Sequence, residues 1–210
     1  MPHENQPVYS AGKKLDETTA AMILIHGRGA NAEDILSLSA HLTHPGLVYL
    51  APQAEAYTWY PNRFIFPVEK NEPHLSSALG VIDKIIKHVE ENNIPSEKIF
   101  IGGFSQGACL ASEYVIRNPK KYGGLFVFSG GYIGALNQNR EPQGDLQNTP
   151  VFIGCSDIDP HIPLQRVQET TKLLQAMNAD VTERIYPNMG HTINEEEIEL
   201  AREIMQKSLS

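Results

Sequence analysis

The sequence predicts a three-layer α/β/α fold, with helices on both faces of a mostly parallel central sheet. Three observations support this. Short apolar runs recur at 21–25, 47–50, 99–101, 125–128 and 151–153. Each is almost continuously apolar rather than alternating, as a strand covered on both faces must be. Amphipathic stretches separate the runs, and that alternation of strand and helix is the pattern of an α/β sheet.

The individual elements follow in order. Residues 8–11 read as an added antiparallel strand ahead of the first apolar run. Asn31 with Asp34 three positions on reads as an N-cap and first-turn acid for a helix ending near Leu42. Leu75, Ala78, Ile82, Ile85, Ile86 and Val89 repeat at helical spacing along one face. Leu164, Val167, Thr171, Leu174 and Met177 make a second stripe, and Ile198, Ala201, Met205 and Leu209 a third. These stripes are core packing and carry no chemistry. Residues 181–186 alternate polar with apolar, which suggests a less buried strand near a sheet edge. Two connections, 52–73 and 130–150, are unusually long, and both leave the carboxyl ends of predicted strands. That edge is where open α/β sheets bind ligands, and long loops there are often functional.

Composition bounds what the chain does. Its 210 residues, 41% hydrophobic and 20% charged, suit one domain over 1–210 with a substantial core. A net charge of −8 argues against a nucleic-acid partner, which needs clustered Lys and Arg. The two cysteines, Cys109 and Cys155, are too few for a disulfide framework. No apolar run reaches the roughly 20 residues of a membrane span, and the polar N-terminus resembles no signal segment. A cytoplasmic location is the resulting expectation. Nothing in the sequence excludes a homodimer.

The chemistry centres on Gly103, Ser105 and Gly107, a G-x-S-x-G pattern. By chance alone it would arise in roughly one such chain in fifteen. Here it directly follows a predicted buried strand and opens a small-residue helix, the context of a nucleophile elbow. Such a turn demands small residues two before and two after the serine, and it projects Ser105 Oγ above the sheet. A serine hydroxyl is a weak nucleophile near neutral pH, so it needs a base, and the base needs an orienting acid. In this architecture the order along the chain is serine, acid, histidine. His191, in the loop after the last predicted strand, is a better base than His161, which is wedged between Pro160 and Ile162-Pro163. The acid is Asp157 or Asp159, and periodicity does not choose between them.

Four ordered segments now carry a resemblance that spans nearly the whole chain. They are Ile23-Leu24-Ile25-His26-Gly27-Arg28-Gly29, Gly102-Gly103-Phe104-Ser105-Gln106-Gly107, Asp157-Ile158-Asp159-Pro160-His161-Ile162-Pro163 and Gly190-His191. Together they resemble the phospholipase/carboxylesterase family of the α/β-hydrolase superfamily, which includes acyl-protein thioesterases and small bacterial carboxylesterases. The resemblance implies a serine hydrolase of carboxylic esters or thioesters that needs no cofactor and no metal, a small-molecule carboxylesterase first, with an acyl-protein thioesterase or a lysophospholipase as the alternative. It assigns the acid to the aspartate before the proline, Asp159, and leaves Asp157 as a turn-former or surface carboxylate. The elbow geometry places one oxyanion donor at the backbone N–H of Gln106. The resemblance supplies the second, the backbone N–H of Arg28. His26 reads as a structural histidine bracing that loop.

Two departures weaken transfer of a protein-thioesterase preference and favour a small-molecule ester. Position 28 is commonly leucine in thioesterase-like relatives. Arg28 could meet an anionic substrate group, but solvent or a surface acid such as Glu33 is the expected partner. The loop 57–66 is dense in aromatics, so Trp59, Tyr60, Arg63 and Phe64 are candidates for the pocket wall. The same residues could equally staple the loop to the domain. Two rival functions remain in view. Asp157, Asp159 and His161 could ligate a metal, but no further ligand set accompanies them. A non-catalytic module could retain the fold, though intact Ser105, Asp159 and His191 oppose that.

Overall fold

The structure, a computed structural model, describes residues 1–136, 138 and 140–210. Seven strands form one sheet in the order β1-β3-β2-β4-β5-β6-β7. They are β1 (Val8–Gly12), β2 (Ala20–Ile25), β3 (Leu47–Pro52), β4 (Ile99–Phe104), β5 (Gly124–Phe128), β6 (Pro150–Ser156) and β7 (Asp180–Tyr186). β1 pairs antiparallel with β3, and every other pairing is parallel. The antiparallel strand expected near the start and the edge position expected for the last strand are both observed. This is the three-layer α/β/α arrangement of an α/β-hydrolase.

The pleat divides each strand between two apolar layers. Ala21, Ile23 and Ile25 of β2 join the core beneath α2 (His74–Glu91), α3 (Gln106–Arg117) and α4 (Leu164–Ala176). Ala20, Met22 and Leu24 point the other way, toward α1 (Ala32–Leu36) and α5 (Glu195–Leu209). Alternate side chains on a strand face opposite sides, so a strand with helices on both faces must be apolar at every position. β2 is fully buried along its length.

Local signals account for the helix ends. Asn31 and Asp34 form a reciprocal capping box at α1, each side chain accepting the other's backbone N–H. The regular helix stops at Leu36 rather than near Leu42 and continues as a 3₁₀ turn from Ser37 to Ala40. Asn194 and Glu197 repeat the box at α5. The long connection 52–73 contains two short 3₁₀ turns, Glu55–Tyr57 and Val68–Asn71. The connection 130–150 includes positions 137 and 139, which lie outside the described residues. No helix among the described residues is long and apolar enough to cross a membrane.

Two buried charges organise the 130–150 segment. Arg166, fully buried on α4, donates to the carbonyls of Tyr132, Gly134 and Ala135 and pairs with Glu169 at 2.9 Å. Glu113, fully buried on α3, accepts from the Ile133 N–H and from Arg117 and Arg140. Removing one member of such a network leaves the rest uncompensated in a poor dielectric.

Glu197 carries a different stress. One oxygen accepts the Asn194 N–H, but the other is buried without a partner against Gly154. Burial pushes its carboxyl up to about 7. An acid whose pKa rises on folding keeps its proton in the native chain after the unfolded chain has lost it. Its effect on stability is most favourable below its ordinary value of 4.5, worsens as pH rises to about 7, and levels above that. The expected swing is on the order of 3 kcal/mol. Glu197→Gln should therefore flatten the decline in denaturation midpoint between pH 5 and pH 8, as measured by urea unfolding. An unchanged pH dependence would contradict this.

Candidate active site

The candidate site lies at the carboxyl edge of the sheet, where β2, β4, β6 and β7 each deliver one piece of it. At the end of β4 the chain turns through Ser105 with φ 56° and ψ −117°, then enters α3 directly. A side chain at positive φ costs roughly 1–3 kcal/mol. The turn survives because its neighbours are glycines. A Cβ on Gly107 would lie 2.0 Å from the Ile25 carbonyl oxygen, and one on Gly103 would lie 2.7 Å from the same atom. The Ser105 N–H is anchored to the Phe128 carbonyl at 3.0 Å. Ser105 Oγ has no hydrogen-bond partner among the described residues.

The loops after β6 and β7 bring Asp159 to His191. Asp159 Oδ2 lies 2.7 Å from His191 Nδ1, with the carboxylate side chain fully buried. Its Oδ1 accepts the N–H groups of His161 and Ile162 at 2.8 and 3.0 Å. Burial by itself raises the Asp159 pKa. The hydrogen bonds from His191, His161 and Ile162 outweigh it and hold the carboxyl below its ordinary value. His191 packs its ring on Phe104, centroids 4.7 Å apart, and meets the edge of His161 at 4.9 Å. Ser105 and His191 line the same cleft, of about 370 Å³.

Asp157 has a separate task. Its Oδ1 accepts the Asn188 N–H, and its own N–H bonds the Tyr186 carbonyl. It ties down the loop that carries His191 without touching the imidazole. Among the described residues, no group of three or more His, Cys, Asp or Glu is arranged to hold a metal ion.

The cleft's opposite wall is the aromatic loop, and Arg28 and Gln106 hold it. Contrary to expectation, the Arg28 side chain neither pairs with Glu33 nor runs free into solvent. It donates to the carbonyls of Tyr60, Pro61 and Asn62 at 2.7, 3.1 and 2.9 Å. A planar fork suits such a row of acceptors. The Gln106 side chain grips the same strand of loop, accepting the Trp59 N–H and donating to the Tyr60 carbonyl, both at 2.9 Å. The backbone N–H groups of Arg28 and Gln106 have no partners among the described residues.

Of the four candidates in the aromatic loop, Tyr60, Arg63 and Phe64 line the cleft, and Trp59 does not. Trp59 is fully buried, its indole N–H bonded to the His26 carbonyl at 2.9 Å and its ring between His3 and His26. The loop's aromatic density thus has two causes, and the tryptophan belongs to the staple. His26 braces the loop as expected. Its Nε2 accepts the Ala54 N–H, so Nδ1 carries the proton to the Gly27 carbonyl, and burial lowers its pKa. His3 joins from the N-terminus, bonding Trp59 and Glu55. Cys109, also in the cleft wall, is an inert thiol pushed up to about 12 by burial.

Fold and site together define a serine hydrolase on the α/β-hydrolase scaffold. The chain belongs to the phospholipase/carboxylesterase family, whose pattern matches residues 7–209. It is similar to the crystal structure of a phospholipase/carboxylesterase from Dyadobacter fermentans, with 40% identity and a TM-score of 0.91 over 98% of this chain and 97% of that one. It is 30% identical to acyl-protein thioesterase 1 of Saccharomyces cerevisiae over 81% of this chain and 74% of that protein. The thioesterase 1 of Kluyveromyces lactis is 32% identical over 64% of this chain, which spans 60% of that relative's length.

Replacing Trp59 with alanine should behave as a core truncation, costing roughly 3–5 kcal/mol, or a Tm drop of roughly 10 °C. Activity on short and long esters should fall in parallel as the loop loosens. A Tm unchanged within error, with selective loss on long esters, would return Trp59 to the pocket wall.

Proposed function

We propose that the protein hydrolyses small carboxylic esters or thioesters through a Ser105 acyl-enzyme, with His191 as base and acid and Asp159 as orienting carboxylate. The observation carrying this reading is the 2.7 Å Asp159–His191 contact on the cleft that also receives the strained Ser105. Asp159 accepts the Nδ1 proton and leaves Nε2 unprotonated for the serine. As Oγ attacks the acyl carbonyl, His191 takes its proton, and the hydrogen bond absent from the resting site closes when substrate binds. The oxyanion forms against the backbone N–H groups of Arg28 and Gln106, which are preorganised and have no other partner among the described residues. His191 then returns the proton to the leaving alcohol or thiol. Water repeats the sequence on the acyl-enzyme and releases the acid.

A cleft of about 370 Å³ is at the small end of the ~300–1,000 Å³ range of ligand pockets, which favours a compact substrate. The names of the yeast relatives carry the alternative of a protein thioesterase. A panel of esters and thioesters of graded acyl length separates the two.

Ser105→Ala should abolish hydrolysis of a p-nitrophenyl ester with little change in Tm. Asp159→Asn should lower kcat on the order of 10³-fold or more, because the imidazole would be held in the wrong tautomer. Asp157→Asn keeps the acceptor for Asn188 and should cost far less. Equal losses at positions 157 and 159, or appreciable turnover without Ser105, would overturn the assignment.

The loop clamp has its own expectation. Arg28→Leu retains the backbone N–H but removes three bonds to the loop. The kcat on a neutral ester should fall by roughly tenfold with KM little changed, the sign of a group acting in the transition state. A raised KM at constant kcat would mean that Arg28 only shapes the pocket.

A further inference from the structure

The charge of the cleft is opposite to that of the protein. The chain carries a net −8, yet among the described residues the cleft is lined by two arginines and two histidines with no Asp or Glu. Asp159, which holds the cleft residue His191, is buried with both oxygens engaged by His191, His161 and Ile162. A cleft of one sign with low-dielectric walls concentrates ligands of the other sign.

The two arginines are not equivalent. Arg28 is occupied by the carbonyls of Tyr60, Pro61 and Asn62. Arg63 makes no ion pair among the described residues, and its guanidinium has one long contact, 3.5 Å to the His161 carbonyl. Its backbone, by contrast, is fixed. The Arg63 carbonyl accepts from the buried Asn71 side chain at 3.3 Å and from the Phe66 N–H at 3.1 Å. The next residue, Phe64, is buried, and its carbonyl accepts the Gly134 N–H at 2.8 Å. A largely unoccupied donor fork thus stands on a rigid base. Arg63 is exposed and lines the cleft beside His161, whose ring contacts that of His191. Pro61, Phe64, Phe104 and Ile162 give the same cleft apolar surface.

Resting on the esterase reading above, we infer that the preferred substrate is a short ester bearing a free carboxylate, in its acyl or its leaving half, and that Arg63 binds that carboxylate. One guanidinium fork matches one carboxylate through two parallel hydrogen bonds. The intervening methylenes lie along the apolar wall. The overall step is ordinary hydrolysis, in which ester and water yield a carboxylic acid and an alcohol. When the carboxylate lies in the acyl half, the product is a dicarboxylate.

The test compares charged and neutral partners of equal length, a carboxylate oxygen counted as a chain atom: monomethyl glutarate with methyl hexanoate, and acetoxyacetate with propyl acetate. Hydrolysis is followed by acid release. In the native protein at least one charged ester should have the higher kcat/KM, and added salt should shrink that preference. Arg63→Gln should reduce the charged-to-neutral ratio by roughly two- to fivefold, the upper range of an exposed ion pair. A ratio that stays the same in both pairs would overturn the inference. If no ester is hydrolysed, the esterase reading fails separately, and calorimetric titration with glutarate still addresses the anion site. Glutarate should bind the native protein roughly two- to fivefold more tightly than Arg63→Gln, and equal binding would overturn the inference.

Discussion

The site depends on the close approach of Gly107 to the end of β2. Ser105 sits at φ 56° where the following helix packs directly onto the neighbouring strand, and the Ile25 carbonyl leaves no space at Gly107 for a methyl group. That contact fixes three things together. It points Ser105 at the cleft, starts α3 with a Gln106 N–H that has no partner among the described residues, and sets the origin of the His26–Arg28 segment beside it. Strain of roughly 1–3 kcal/mol at one residue is offset by a sheet whose central strands are buried on both faces.

Around that turn, backbone groups and side chains have separate tasks. Arg28 and Gln106 present their N–H groups to the proposed oxyanion, while their side chains converge on one carbonyl, that of Tyr60. The loop 58–62 is therefore a template for both donors, held in turn by Trp59 against His26 and by His3 from the N-terminus. A comparable logic places Asp159 and Asp157. One holds the imidazole, and the other holds the loop that carries it.

Much of this was legible in the residue order. Continuous apolar strands, helical stripes and the Asn31/Asp34 cap are local patterns, so the elements and the sheet class could be read from them. Ser105 and His191 could be located because an elbow requires small neighbours and the chemistry imposes an order. Asp159 required the resemblance, since Asp157 has the same character two residues away. What stayed hidden depends on contacts between distant segments. Trp59 was expected in the pocket because aromatic density does not distinguish a wall from a staple, and only burial against His26 decides it. The partners of Arg28 lie more than thirty residues away and are backbone carbonyls, which no side-chain pattern announces. Glu113 and Arg166 left a fainter signal. A carboxylate within the otherwise apolar and small stretch of α3 cannot be solvated, and so it must have partners.

The central claim is that one strained serine, made reactive by its surroundings, carries the chemistry. Its most direct measurement is reaction of the folded protein with a fluorophosphonate, followed by peptide mass mapping of the adduct. The account predicts a single phosphonylated residue, Ser105, with labelling lost when the protein is denatured first. Label on another residue, no label on the folded protein, or equal labelling after denaturation would contradict it.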